Sequence, residues 1–450
     1  MPVAKEGLAN GSPPDPLAIL RSRPYAALLV MAALIGVPVS VVAFGFLALV
    51  GELQPLVYTD LPEALGLDKT PPWWPLPLLA VAGLLTALSI QYLPGRGGHE
   101  PTAGLSAAGP PTLTELPGIV FAALATLVFG AVLGPEAPLI ALGSGLAAAA
   151  VRLVRRGAPE QALAVMGAAG SSAAISALLG SPLLAAFLLM EASGLGGAML
   201  GLVLVPGLLA SGIGALIFVG LGSWTGLGTY SLALNDVPEA TSPTVGEFGW
   251  ALVIGLSSAC AGAAIRWLAA RLRTLVDGRR VPVTVLLGLV VAGLAIGYAQ
   301  GTGKPAADVL YSGENALDPL LTHSATYTAG ALALLVLCKG LAYCASLSGF
   351  RGGPIFPAMF VGAAGGILLS HLPGLTLAAG FAMGIGAMCA AMLRLPLTSV
   401  LLATLLLGAQ GLTVMPLVIV AVVVSHVVSA RLTRPATEPS APAASGGKRS

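Results

Sequence analysis

Two stretches of this chain, GPEAP at residues 134–138 and GPIFP at residues 353–357, decide its fold. A glycine follows each five residues later (Gly143 and Gly362), so both read GPxxPxxxxG and both open an apolar, small-residue helix. Proline suits the first position of a helix, and a preceding glycine permits a sharp turn. The first-turn N–H groups then lack partners and carry the partial positive charge of the helix. Each motif therefore predicts a helix start that can bind an anion, although a simple helix break would give the same pattern.

The sequence around these motifs has the composition of a membrane protein. Of its 450 residues, 56% are hydrophobic and 9% are charged, against about 25% charged in a typical soluble domain. Apolar tracts long enough to cross a bilayer, which takes about 20 residues, lie at 24–50, 74–93, 117–133, 198–221, 249–275, 282–300, 326–347 and 414–430. Shorter apolar pieces lie at 102–108, 181–192, 354–370 and 394–408. Because irregular backbone in a membrane must be buried in protein or line water, these pieces predict re-entrant helices around a polar pathway.

Charges in the loops predict an orientation. One set of loops carries arginines: Arg21, Arg23, Arg152, Arg155, Arg156, Arg266, Arg271, Arg273, Arg279, Arg280, Arg431 and Arg434. The other set is mostly acidic: Glu52, Asp60, Glu63, Asp68, Asp236, Glu239, Glu247, Asp308, Glu314 and Asp318. The positive-inside rule places the arginine loops and both termini in the cytoplasm. We expect a transmembrane domain at 24–432, with repeats at about 24–221 and 249–430, between disordered tails at 1–23 and 433–450.

Several functions are disfavoured by the sequence. The net charge of +2 and the lack of basic runs with interleaved aromatics do not favour nucleic-acid binding. Enzyme signatures such as a nucleophile elbow or a phosphate-binding loop are absent, and no cofactor or metal site is predicted. The four cysteines (Cys260, Cys338, Cys344 and Cys389) lie in apolar segments without metal-like spacing and are expected to be packing residues.

Charged residues inside apolar sequence are the candidates for function. A membrane carboxylate such as Glu136 costs about 2.5–3.5 kcal/mol on insertion scales, so it indicates a function. Glu136 lies at a helix start, where its ionised form could take the place of a permeant anion and protonation would release it. A purely stabilising first-turn carboxylate is the alternative. Glu191 ends the segment SPLLAAFLLME and could line a proton entrance, or snorkel, or lie at a subunit interface.

Other charged residues give weaker indications. Arg351 and Lys339 flank the second motif. Arg351 could raise the local positive potential for anions, whereas Lys339 could simply extend its ammonium group towards the membrane surface. His99 and Glu100 precede Pro101 and are expected at the cytoplasmic mouth.

Taken together, these residues resemble the CLC family of chloride channels and anion/proton antiporters, in a bacterial ion-transport branch. GPEAP follows LATLVFGAVL and resembles the family's gating-glutamate motif, and GPIFP lies in SGFRGGPIFPAMFVGAAGG and resembles its GxFxP motif. The segment ISALLGSPLLAAFLLME resembles the helix pair that ends in an internal glutamate. The resemblance covers roughly residues 24–430. It implies an all-α, polytopic fold of inverted repeats with re-entrant half-helices, in a homodimer with one anion pathway per subunit in the cell membrane.

The resemblance also implies roles for individual residues. Glu136 would be the gating glutamate, and the anion-binding positions would be Gly98, Gly134, Ala137, Gly353, Ile355 and Phe356. The chain departs from the family pattern at four places. Gly98 replaces the coordinating serine, Pro135 replaces an arginine, Ala192 replaces the internal proton glutamate beside Glu191, and no tyrosine follows Gln410. Chloride selectivity and proton coupling therefore stay open.

Three functions fit this sequence. The first is a passive, chloride-like anion pathway gated by Glu136 and uncoupled from protons. The second is an anion/proton antiporter in which Glu191 takes over the proton route. The third is a non-conducting relative with a structural role, which the missing serine and tyrosine would explain. Cation transport is disfavoured because helix N-termini present donors rather than acceptor oxygens.

Overall fold

The structure is a computed structural model that describes residues 21–67, 70–104, 109–193, 198–226, 234 and 236–433. Most of both predicted tails, and Asp68, lie outside these ranges. The helices are α1 (Arg23–Pro55), α2 (Pro75–Tyr92), α3 (Leu116–Leu127), α4 (Glu136–Val154), α5 (Glu160–Leu179), α6 (Pro182–Ala192), α7 (Ala198–Thr225), α8 (Val245–Gly278), α9 (Arg280–Thr302), α10 (Leu317–Thr322), α11 (Ala329–Gly349), α12 (Ile355–Ser370), α13 (Leu377–Leu393), α14 (Pro396–Leu406) and α15 (Ala409–Leu432).

The helix lengths confirm the prediction of a multi-pass helical membrane protein. Within the described residues, nine helical stretches are long and apolar enough to cross a membrane: α1 (with the short turns that extend it to Ala64), α2, α4, α5, α7 from Val203, α8, α9, α11 and α15. Five apolar helices are shorter: α3, α6, α12, α13 and α14. The short pieces predicted at 181–192, 354–370 and 394–408 correspond to α6, α12 and α14.

The predicted spanning tract at 117–133 is wrong, because α3 ends at Leu127 after 12 residues. Backbone carbonyls at this end accept hydrogen bonds from side chains of the first helical stretch. Gln54 Nε2 donates to the carbonyl of Leu127 (3.0 Å), and the Tyr58 hydroxyl donates to that of Phe129 (2.7 Å). The helix can therefore end inside the protein without leaving these carbonyls unpaired, and the chain turns from there into the first motif.

Two buried helices that the hydropathy pattern did not single out, α5 and α13, pack against the helices that follow the motifs. The last glycine of each motif makes this contact: Gly143 of α4 lies against Gly170 of α5, and Gly362 of α12 lies against Gly384 of α13. A Cβ atom at any of these four glycines would overlap with the backbone carbonyl oxygen of its partner. Small residues at a helix interface let the two backbones approach closely in a membrane. Each motif helix is thereby fixed by the helix that follows it.

Candidate anion site

The structure brings the two motifs together, although their first glycines are 219 positions apart in the sequence. The amide of Gly134 donates to the carbonyl of Gly353 (2.8 Å), and the amide of Gly353 donates to the carbonyl of Gly134 (2.6 Å). This two-bond bridge sets the starts of α4 and α12 side by side. Both helix N-termini therefore face one small volume.

The side chain of Glu136 fills this volume. Glu136 is 0% exposed, and its Oε1 accepts a hydrogen bond from the amide of Phe356 at 2.9 Å. The backbone amides of Ile355 and of Glu136 itself also lie close to the carboxylate. Its Oε2 is buried and, among the described residues, has no hydrogen-bond partner. The carboxylate thus lies where the first-turn amides of α12 would hold a free anion.

The two motif glycines make room for this carboxylate. A Cβ atom on Gly134 or on Gly353 would overlap with Glu136 Oε2. The N–H groups of both glycines are already used in the bridge between the motifs. Both were predicted to be anion-binding positions, and in this conformation they supply space while Phe356 supplies a donor.

Cavities lined by described residues adjoin the motifs, and three of them are relevant here. The acidic cavity has a volume of about 570 Å³ and reaches Pro135, with Asp308 and Glu314 in its wall. The histidine cavity, about 540 Å³, is lined by His99, Gly98 and Ala137. The arginine cavity, about 330 Å³, reaches Pro354 and is lined by Arg266 and Arg394. Glu136 lines none of the three, so in this conformation its buried carboxylate lies outside all of them.

Gly98 and Ala137, both predicted to bind anions, lie together in the wall of the histidine cavity. Gly98 has φ +82°, and a Cβ atom there would come within 3.0 Å of the Ile119 side chain. Any replacement would therefore strain the backbone and crowd Ile119. Position 98 has no side-chain donor, and the backbone is the remaining polar group there.

Glu314 is a further carboxylate at the site, which the sequence placed only in an acidic loop. It is half-buried in the wall of the acidic cavity. Burial, together with the like charge of Glu136, raises the pKa of Glu314 to about 8. No sequence signal could have paired two carboxylates that are 178 residues apart.

Lys339 is buried, and the interpretation that it extends to the membrane surface is wrong. It is 0% exposed, and its Nζ donates to the carbonyls of Leu310 (2.7 Å) and Tyr311 (3.0 Å). The ammonium group also lies 4.6 Å from the centre of the Phe360 ring. These three groups satisfy a buried cation. Leu310, Tyr311 and Phe360 also line the acidic cavity, so Lys339 holds part of its wall in place.

Arg351 is paired with an acid, which limits its contribution to the local potential. It is 3% exposed, and its Nη2 lies 3.6 Å from Glu100 Oε1, an oxygen that also binds Arg273. His99 and Glu100, which were predicted to lie together at the cytoplasmic mouth, make different contacts. His99 Nε2 contacts the carbonyl of Gly104 at 2.7 Å and lines its cavity, whereas Glu100 neutralises arginines.

Glu191 caps a helix. Its carboxylate accepts hydrogen bonds from the amides of Leu397 (2.9 Å) and Thr398 (2.8 Å) and from the Thr398 hydroxyl (2.6 Å), all in the first turn of α14. A carboxylate in this position stabilises the helix by satisfying its unpaired donors. The neighbouring Ala192 lines both the arginine and the histidine cavities.

Tyr343 is a buried residue of the site that sequence reasoning missed. It lies on α11, is 0% exposed, and donates its hydroxyl to the carbonyl of Pro354 at 2.7 Å. It therefore orients the residue just before the amides of Ile355 and Phe356. In the sequence Tyr343 is one aromatic residue in an apolar helix, so the pattern gave no reason to single it out.

The fold and site together define a polytopic helical membrane protein in which two helix N-termini meet around a buried carboxylate. This chain belongs to the CLC family, because the sequence model described as voltage gated chloride channel matches residues 83–430. CLC proteins are anion-transport proteins, and the chain shares their multi-pass membrane architecture.

Individual relatives agree with this assignment. The "Putative ion-transport protein YfeO" of Escherichia coli O139:H28 (strain E24377A / ETEC) is 29% identical over 359 residues, which cover 78% of this chain and 81% of the relative. The protein of the same name from Shigella boydii serotype 4 (strain Sb227) is 28% identical over 356 residues, with the same coverage.

Solved structures show the same fold. A slow cyanobacterial Cl⁻/H⁺ antiporter superposes with a TM-score of 0.72 at 19% identity, over 90% of this chain and 94% of that one. A CLC-type fluoride/proton antiporter superposes with a TM-score of 0.66 at 18% identity, over 90% and 96%.

Proposed function

We propose that this chain transports small, chloride-like inorganic anions through a pathway that Glu136 gates, without coupling to protons. One observation carries the proposal: the buried carboxylate of Glu136 accepts the amide hydrogen bond of Phe356 that a permeant anion would need. An ionised Glu136 is in this way a tethered competitor for the anion. The family membership supports anion transport as the general activity.

Gating follows from the charge of this carboxylate. While Glu136 is ionised, the amides at the start of α12 hold it and the pathway stays closed. Protonation removes the charge that those amides and the helix dipole stabilise, so the side chain can leave and an anion can take its place. In this closed conformation the side chain already has an unpaired oxygen, Oε2, which lowers the cost of release.

The uncoupled form of this proposal rests on the residues around position 192. Ala192 lines the arginine and histidine cavities and cannot carry a proton. The adjacent Glu191 uses both carboxylate oxygens to cap α14. Neither residue offers a free proton carrier between these cavities and Glu136.

The arrangement in the cell is part of the proposal. We infer a homodimer in the plasma membrane, with one pathway per subunit and both termini in the cytoplasm. The loop charges support this orientation, because loops rich in arginine lie preferentially on the cytoplasmic side of a membrane.

Reversal potentials of purified protein in a planar bilayer test the proposal. Under a chloride gradient at equal pH, we expect a reversal potential at the chloride equilibrium value, and no shift when a proton gradient is added. A fixed shift with the proton gradient would show coupling and exclude the uncoupled form. No current or tracer flux for chloride, nitrate or fluoride would favour the non-conducting alternative.

An anion/proton antiporter is the second candidate, favoured by the two antiporters that share this fold. In that case Glu191 would carry the proton. Glu191→Gln would then abolish proton movement and spare anion flow. Under the uncoupled proposal the same substitution only weakens the cap of α14, which costs about 0.5–2 kcal/mol of stability.

A further inference from the structure

Helix α8 is longer than a membrane is thick, and its last turns carry arginines. Its 34 residues (Val245–Gly278) extend over about 50 Å, whereas about 20 helical residues cross the hydrocarbon core of a bilayer. Residues 248–265 include no charged side chain, and five arginines follow between positions 266 and 280. These arginines place the end of α8, from Arg266 onward, at the boundary between the membrane and water.

One face of this end of α8 points away from the protein. Trp267, Arg271 and Leu275 follow one another at a spacing of four residues, which puts them on the same side of the helix. All three are exposed, Trp267 by 61% and Leu275 by 58%, and so is Arg279 at the end of the helix. Val276, on the opposite side, is buried. The four exposed residues together form a band, the α8 stripe.

The two arginines of the α8 stripe lack the acidic partners that their neighbours have. Asp277 Oδ1 lies 2.9 Å from Nε of Arg273 and 3.3 Å from Nη2 of Arg280. Among the described residues, by contrast, no carboxylate lies within ion-pair distance of Arg271 or Arg279. The α8 stripe therefore presents two exposed positive charges that the protein does not neutralise.

The Arg271 guanidinium group is held in place by an aromatic ring. It lies 5.5 Å from the centre of the Trp267 ring, which is one turn earlier in α8. Stacking uses a face of the guanidinium group and leaves the N–H donors at its edge free. Those donors match the oxygens of a phosphate group, which arginine binds in a bidentate manner. Tryptophan itself is typical of the level of the lipid headgroups.

The composition of the α8 stripe favours a phospholipid over other phosphate carriers. Two large apolar side chains, Trp267 and Leu275, alternate with the two arginines. A soluble phosphate would leave these apolar side chains uncovered, whereas the acyl chains of a lipid cover them. A zwitterionic lipid also carries an ammonium group beside its phosphate, which two guanidinium groups repel. An anionic lipid lacks that group and fits both parts of the stripe.

We propose that the α8 stripe binds an anionic phospholipid. Arg271 and Arg279 hold its phosphate, and Trp267 and Leu275 contact its acyl chains. None of these four residues lines the acidic, histidine or arginine cavity, so the lipid site does not rest on the proposed function.

Brominated lipids test this site, because bromine quenches the fluorescence of a tryptophan that it contacts. The full chain is reconstituted in phosphatidylcholine vesicles that contain the same small fraction of either brominated phosphatidylglycerol or brominated phosphatidylcholine. The difference between wild type and Trp267→Phe gives the emission of Trp267 alone. We expect brominated phosphatidylglycerol to quench this emission more strongly than brominated phosphatidylcholine does.

Substitution of the arginines should weaken this preference. A basic residue near an anionic headgroup contributes enough for about a fivefold change in affinity, so Arg271→Gln and Arg279→Gln should each lower the preference for phosphatidylglycerol about fivefold. Arg152→Gln is the matched control, because Arg152 is an exposed arginine in the last turn of a different helix, α4. It should leave the preference unchanged.

Several results would contradict the lipid site. Equal quenching by the two lipids in the wild type would show that no headgroup is recognised. The absence of quenching by either lipid would show that protein covers the α8 stripe. Both of these results come from the wild type and do not depend on the folding of an arginine variant.

Two further results separate the lipid from other sources of the effect. If inorganic phosphate abolished the preference at constant ionic strength, the ligand would be free phosphate and not a lipid. If Arg152→Gln lowered the preference as much as Arg271→Gln does, general surface charge would be responsible. We expect neither result.

Discussion

The two motifs at residues 134–138 and 353–357 are alike in how they are built and different in what they offer. Each starts a helix directly after Gly-Pro, and each has a last glycine that contacts the next helix. The first motif, however, contributes the carboxylate of Glu136, while the second contributes the amide that binds it. The repeated sequence thus provides two equivalent helix starts. One residue in the middle of the motif decides which of them supplies the carboxylate and which supplies the amide that binds it.

Under the proposed function, this difference separates residues that support the fold from residues that gate the pathway. Gly143 and Gly362 make equivalent contacts with the next helix in the two motifs, and these contacts determine how closely the helices pack. By contrast, Gly134 leaves space for the carboxylate of Glu136, and the amide of Phe356 donates a hydrogen bond to it. Substitutions at these positions should therefore alter flux more than stability. Both expectations can be tested by substitution.

The largest expected effect is on packing. Gly362→Ala places a methyl group against the carbonyl of Gly384, a backbone atom that cannot rotate away. We expect a loss of about 1–3 kcal/mol of unfolding free energy, seen as a lower melting temperature in detergent. Gly143→Ala should cost a similar amount of unfolding free energy if the two helix contacts are equivalent.

Gly365→Ala is the matched control for this packing prediction. It lies on the same helix, α12, and nothing lies within 4 Å of its added methyl group. Alanine suits a helix interior better than glycine by about 0.5–1 kcal/mol, so this variant should be as stable as the wild type or slightly more stable. Equal losses at positions 362 and 365 would contradict the packing account.

The next effect should be on gating. Gly134→Ala directs a methyl group at the end of the Glu136 side chain, which can move, and Gly134 does not have a positive φ. The carboxylate should be displaced, and anion flux at pH 8 should rise about tenfold, because a charge-assisted hydrogen bond is lost. Gly340→Ala on α11, with no close contact, should leave flux unchanged. If flux stayed low in Gly134→Ala, the proposed distinction between packing residues such as Gly362 and residues that control the Glu136 carboxylate would be wrong.

The smallest effect should come from Glu314. Its raised pKa keeps this carboxyl neutral below about pH 8 and lets it ionise above. Its negative charge then repels anions from the acidic cavity, so wild-type flux should fall by about a further fivefold above pH 8, roughly 1 kcal/mol. Glu314→Gln should remove that alkaline fall and leave flux at pH 6 unchanged.

Glu63→Gln provides the comparison, because Glu63 is an exposed acid of the predicted acidic loops. Its flux profile should match the wild type at every pH. If Glu63→Gln and Glu314→Gln changed the alkaline limb equally, a general surface charge rather than the cavity carboxylate would be responsible.

Much of this architecture could be predicted from the sequence, since hydropathy and the GPxxP pattern report on local structure. The helix starts at Glu136 and Ile355 follow directly from proline and glycine preferences. Helices α5 and α13 were missed because their alanines, glycines and serines pack by close approach and make no long stretch of large apolar side chains.

The parts of the site that could not be predicted depend on distant contacts. The bond from Phe356 to Glu136 joins residues 220 apart, and Tyr343, Lys339 and Glu314 acquire their roles only from what lies beside them in the fold. A single sequence states that Lys339 is charged and surrounded by apolar residues. It does not show that the carbonyls of Leu310 and Tyr311 and the ring of Phe360 lie around the ammonium group.

The central claim is that ionised Glu136 occupies the anion position at the amide of Phe356. Chloride efflux from proteoliposomes, recorded from pH 5 to pH 9 for wild type and Glu136→Gln, tests it most directly. We predict wild-type efflux that falls as pH rises and Glu136→Gln efflux that stays high and independent of pH until Glu314 ionises, which happens at a lower pH than in the wild type because the like charge of Glu136 is gone. Wild-type and Glu136→Gln profiles that coincide at every pH would contradict the claim.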